Sequence, residues 1–179
     1  CGTMENYYQE IAKDPSLKDK YDLAFKKIID GDEQIRRTSR VVITIPVVVH
    51  VIHNNEAIGS GTNISDDQIF SQIEALNEDF RLMNADSLTP THPFWQYQSD
   101  VYIEFCLARQ TPGGQPSTGI ERIYGGLDWD MTDCNQYLKP QTYWDPGRFL
   151  NLWTVDWGGA NEDLLGFAQF PGGANNTDG

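Results

Sequence analysis

The sequence predicts an α/β fold in which a helix backs a sheet and a further helical segment precedes both. Three observations carry this: a β-branched run at 41–53 that is apolar on both faces, a capped amphipathic helix beginning at Ser65, and two later strand-like stretches at 100–108 and 149–155.

In chain order, the first forty residues differ from the rest. Leu17, Tyr21, Ala24, Phe25 and Ile28 recur at helical spacing behind Asp14-Pro15 and ahead of Gly31. Asp14 suits a cap, Pro15 the first helical position and Gly31 the exit, so a helix is expected over about 15–30. Arg36-Arg37-Thr38-Ser39-Arg40 is the densest basic stretch. On composition alone it is a solvated linker, and exposed linkers are where proteases cut.

From Val41 to His53 the chain reads as a strand covered on both sides, with Pro46 expected to split an edge piece from a central piece. Ser65 and Gln68 form a capping box, Ile64 and Ile69 a hydrophobic staple. Ile69, Ile73, Leu76 and Phe80 make one stripe, so this helix should lie on the sheet and run to about Asn84. Asp100–Ala108 alternates as a second strand, with Val101, Ile103 and Phe105 on one face, and Phe149–Val155 reads as a third. The stretch between them reads as irregular. The final part, 158–179, is Gly- and Asn-rich around one apolar island, Leu164–Phe170.

Composition narrows the function. An apolar fraction of 39% suits a globular chain, and no apolar run approaches the ~20 residues that cross a bilayer. A net charge of −13 without a Lys/Arg patch argues against nucleic acid. Phosphate-binding loops, dinucleotide fingerprints and nucleophile elbows are absent.

Metal chemistry has few candidates. His50 and His53 lie three apart on a predicted strand and point to opposite faces, so a core role suits them better than a shared ion. Asp128, Asp130 and Asp133 have a spacing that could hold calcium, but lack the Gly and terminal Glu of an EF-hand; a solvated acidic loop is the better reading. The three cysteines, Cys1, Cys106 and Cys134, form no Cys-x-x-Cys pair. Cys1 could carry a lipid, pair in a disulfide or stay a free thiol, and a thiolate is also a strong zinc ligand.

Several stretches together resemble one family. Ile45–His53, Asn63–Ile69, Leu76-Asn77-Glu78-Asp79-Phe80-Arg81, Ile103–Ala108 and Leu164–Pro171 resemble, in order, the start of the pappalysin (cytophagalysin) branch of the metzincin zinc metallopeptidases. Cys1-Gly2-Thr3-Met4-Glu5 is similar to the propeptide motif of its bacterial members.

The resemblance implies a metzincin-like twisted mixed sheet with a backing helix, preceded by a helical propeptide. Residues 1–40 would be a latency propeptide with a basic activation linker, and 41–179 the upper subdomain of the catalytic domain. It implies a secreted zymogen of an endopeptidase that hydrolyses peptide bonds with a zinc-activated water. The zinc-binding helix with its His-Glu-x-x-His-x-x-Gly-x-x-His motif does not occur in this sequence. The C-terminal part that carries it is then an expected partner, and this chain alone should be inactive.

On the same grounds Cys1 is the zinc-blocking ligand of the latent form. Arg36, Arg37 and Arg40 mark cleavage by a trypsin-like activator, and Gly166, Phe167 and Ala168 border the substrate cleft for proteins or peptides, although core packing accounts for the island Leu164–Phe170 nearly as well. The alternative is a noncatalytic surface adhesion module, lipid-anchored through Cys1, with some of the five tryptophans lining its binding face.

Overall fold

The computed structural model describes residues 2–35 and 41–170. Two helices come first, α1 (Thr3–Lys13) and α2 (Ser16–Ile35). Asp14 and Pro15 form the turn between them, and the Asp14 carboxylate accepts the Ser16 N–H at 3.0 Å and the Ser16 hydroxyl at 2.7 Å. That is the cap the sequence predicts. The expected exit at Gly31 is a correction: α2 runs through it to Ile35, because one glycine costs a helix interior only about 1 kcal/mol. Helix α1 was not expected at all; its Gly2 N-cap makes no side-chain cap bond that a sequence pattern could reveal.

Strand β1 (Ile43–His53) is the centre of the sheet. It pairs in parallel with β2 (Ile103–Leu107) through 43–47, with β3 (Ile120–Tyr124) through 49–53, and with β4 (Leu150–Thr154) through 47–51. Pro46 does not split it. The C=O of Val47 accepts the Ala108 N–H on the β2 side, so Pro46, one residue earlier, turns its missing N–H to the other edge, where the pairing with β4 begins only at Val47.

Both faces of β1 are covered, as its continuous apolar run requires. Val47, Val49 and Val51 face α3 (Asp66–Phe80), packing on Ile69 and Phe105 with Ile73 and Leu76 partly buried beside them. On the other face, Val48 meets Trp144 and Phe149, and Ile52 meets Cys134 and Leu138. Helix α3 starts as predicted, Ser65 accepting the Gln68 N–H at 3.2 Å. It stops at Phe80, short of the expected Asn84, because Leu82 takes a left-handed φ of 53°.

The stretch read as irregular holds β3 and a helical run over 131–142, with π-helical geometry at Cys134–Leu138. Strand β3 was hidden because Glu121 and Arg122 interrupt its apolar residues. Arg122 is anchored: its guanidinium donates to the Ile64 carbonyl at 2.8 Å, to Asn63 and to Asp66. Trp144 is buried, and Trp129, Trp153 and Trp157 pack around the Ile52 cluster, so four of the five tryptophans serve the core.

Among the described residues no helix is long and apolar enough to cross a membrane. Cys106 and Cys134 are both free thiols, the first exposed and the second buried.

Candidate functional site

The apolar island 164–170 takes no regular secondary structure, and it belongs to none of the sheet's ladders. Its backbone polar groups therefore need other partners. The N-terminal segment supplies them. The Gly166 carbonyl accepts the Gly2 N–H at 2.9 Å, and the Ala168 N–H donates to the Thr3 hydroxyl at 3.1 Å. Gly2 is buried against the body: a Cβ there would lie 3.0 Å from a Leu164 methyl carbon and 3.1 Å from the Met131 sulfur.

Beyond Gly2 the chain turns into α1, the Asn6 N–H returning to the Gly2 carbonyl at 2.9 Å. Asn6 is 1% exposed, and its side-chain carbonyl accepts from the Asn135 amide on the helical run. Phe170 then projects between the two N-terminal helices. Its ring centroid lies 5.5 Å from that of Tyr7, 6.4 Å from Tyr21 and 5.4 Å from Phe25, each near edge-on. Tyr21 is 1% exposed; its hydroxyl donates to the Glu10 carboxylate and accepts from the Gln169 amide at 3.4 Å.

Next to this contact lies a cavity of about 400 Å³ lined by Cys134, Lys139, Trp153, Trp157, Leu164 and Phe167. Lys139 is nearly buried there, its ammonium 4.2 Å from the Phe167 ring centroid and 5.3 Å from that of Trp153, a cation between two π faces. Burial pushes the Cys134 thiol up to about 12, so it stays protonated at neutral pH.

The candidates from sequence separate clearly. Gly166 and Ala168 come together with Gly2 and Thr3, while Phe167 packs on Trp157 and under the Lys139 ammonium. Cys1 and the basic residues Arg36, Arg37 and Arg40 lie outside the described residues. His50 is fully buried and bonded to Asn151 at 3.1 Å, while the half-buried His53 accepts the Asn55 N–H at 3.0 Å. Asp130 uses its carboxylate to cap the Asp133 N–H at 2.8 Å, and Asp128 and Asp133 join it in no metal site.

Among the described residues no group of three or more His, Cys, Asp or Glu side chains is placed to hold a metal ion. Tyr7, Asn6, Asn135 and Lys139 were not legible as site residues, and Phe170 showed only as the end of the apolar island. Tyr21 and Phe25 had shown only as one face of a helix.

No family model matches the chain, and no curated protein matches it. Solved structures do. One of mirolysin with a bound compound is 41% identical, with a TM-score of 0.66, covering 78% of this chain and 52% of its own. Mature mirolysin of Tannerella forsythia in complex with a cleaved peptide is 42% identical, with a TM-score of 0.68, covering 79% and 52%. A promirolysin mutant of Tannerella forsythia is 36% identical, with a TM-score of 0.66, covering 96% of this chain and 55% of its own. The chain spans about half the length of these relatives. In sequence and in fold it is thus similar to mirolysin and its proform, metallopeptidases of the metzincin type, over the half that it spans.

Proposed function

We propose that the intact protein is a secreted zinc endopeptidase of the pappalysin branch, made as a zymogen, and that this chain supplies its latency segment and the front of its catalytic domain. The observation that carries this reading is the difference between two matches. Mature mirolysin covers 79% of the chain and the proform 96%, a difference of about 30 residues, near the length of the helical segment that ends at Ile35. That same segment lies on Gly166 and Ala168, where its backbone and Thr3 hydroxyl hold groups that an extended peptide substrate would use.

In this reading 1–40 is the propeptide, 41–179 the upper subdomain, and Gly166, Phe167 and Ala168 the rim of the substrate cleft. Cys1 is the blocking ligand, and a trypsin-like protease cuts at Arg36, Arg37 or Arg40. The zinc ligands lie in the part of the relatives' length that this chain does not span, since its own described residues offer none.

The experiment is to express the full-length protein and measure its intact mass, its zinc content and its cleavage of a protein substrate before and after trypsin. The expected result is a mass well above 20.3 kDa, about one zinc per chain, and activity that rises once the 36–40 linker is cut and the N-terminal fragment removed. Cys1→Ala should raise activity before any cut. A full-length protein that binds no zinc and cleaves nothing after the linker is cut and the N-terminal fragment removed would sink the reading.

A further inference from the structure

Among the described residues, none of the three core clusters of the sheet contains a side chain from α1 or α2. The N-terminal segment is attached to the body by a small, separate set of contacts instead. Two hydrogen bonds tie Gly2 and Thr3 to Gly166 and Ala168, one partly buried amide pair joins Asn6 to Asn135, and the Phe170 ring sits among Tyr7, Tyr21 and Phe25. These contacts do not depend on the chain running on from α2 into β1. They are the parts of an interface: a half-buried aromatic anchor held among three rings, a partly buried polar pair and hydrogen bonds to the backbone beside it.

The hairpin is prepared for such a role. Asp14 fixes the turn between α1 and α2, Tyr7 packs on Tyr21 at 5.2 Å between ring centroids, and Tyr21 bonds Glu10 across the pair. Helix α1, with 11 residues, is nonetheless too short to be stable alone in water, so its order comes from packing on α2 and on the body. Phe170 is the contact that touches both at once, through Tyr7 on α1 and through Tyr21 and Phe25 on α2.

We propose that α1 and α2 act as a docking unit that recognises residues 164–170 as a separate polypeptide would. Phe170 is the knob it grips, so the segment stays bound after the chain is cut between it and β1. This deepens the latency reading: cutting the linker does not by itself free the rim, and the released segment inhibits in its own right, apart from any bond through Cys1.

The test uses the full-length protein with a site-specific protease sequence in place of residues 36–40 and with Cys1→Ser in every arm, so that no metal–thiolate bond contributes. After the cut, gel filtration shows whether the N-terminal fragment travels with the body, and fluorescence anisotropy of a labelled fragment titrated onto body freed of it gives the affinity. The expected result is co-elution, with Phe170→Ala weakening the fragment at least about tenfold through loss of three aromatic contacts. Phe25→Ala, made on the fragment and leaving the body unaltered, should weaken it in the same direction, which covers the case in which Phe170→Ala disturbs the body's own fold.

A fragment that leaves the unaltered body at once, or binds Phe170→Ala and Phe25→Ala variants as tightly as the parent, would overturn the proposal. Because binding is read without peptide hydrolysis, the two readings fail separately. A body without zinc or activity that still holds the fragment through Phe170 overturns the peptidase reading alone. An active zinc enzyme that lets the fragment go overturns the docking unit alone.

Discussion

At the scale of single residues, Asn151 does the most. Its amide donates to the Trp144 carbonyl at 2.9 Å and accepts the Trp144 N–H at 2.7 Å, which fixes its orientation. Its carbonyl oxygen therefore faces His50 Nε2, and that nitrogen carries the proton. The Nδ1 atom lies 2.9 Å from the Glu121 carboxylate, but the approach is not directed for a hydrogen bond and leaves Nδ1 without one. Burial holds the His50 pKa below its ordinary value, with the contacts to Asn151 and Glu121 opposing it. A lowered value means the folded state binds fewer protons than the unfolded one. This contribution is thus fully present above about pH 6.5 and is lost as pH falls toward the folded value.

Urea unfolding midpoints should accordingly drop from about pH 8 to about pH 5.5, and His50→Gln should flatten that dependence. Equal slopes for the two proteins would remove His50 as the cause. Asn151→Ala orphans the Trp144 N–H and carbonyl together with His50 Nε2, and should cost about 3 kcal/mol in the same measurement. In a Cys1→Ser background, a thiol reagent should label Cys106 in the native protein and Cys134 only on unfolding, since one is exposed and the other buried with its pKa at about 12.

At the scale of elements, legibility followed whether an element's signal was local. Helix α3 shows its cap and stripe in sequence, and Ser65→Ala should lower stability by about 1 kcal/mol by thermal or chemical unfolding. Its end was not legible, because it depends on Arg81 bonding Asp100 and Glu104 beside β2 after the chain turns at Leu82. Strand β3 was missed for the same reason: Arg122 reads as a surface charge until the Asn63–Asp66 turn is folded against it. Helix α1 was missed because Asn6 and Tyr7 take partners more than 100 residues away, Asn135 and Phe170, and Tyr7 otherwise packs on Tyr21 of the next helix.

At the scale of the whole molecule, one strand organises the core and the N-terminal helices stand apart from it. A chain lacking residues 1–35 should still unfold cooperatively, because β1, α3 and the Trp144 and Cys134 clusters keep their partners. Circular dichroism with heating checks this; loss of the transition would mean that the helical pair is part of the core. The same deletion should expose Phe170 and the backbone of Gly166 and Ala168, and hydrogen exchange at the Ala168 amide should rise.

The sequence by itself determined the α/β class, the central strand, the capped helix on its face and the family likeness, because each is written in local periodicity or in a short ordered motif. It also placed both strand histidines correctly, since alternation alone separates their faces. Only the tertiary structure decided that the first helices close over residues 164–170, that Phe170 is gripped from both, and that Lys139 and Cys134 sit buried beside a cavity. Those facts depend on pairs far apart along the chain, whose side chains carry no mark of one another until β1 has brought its three partner strands together.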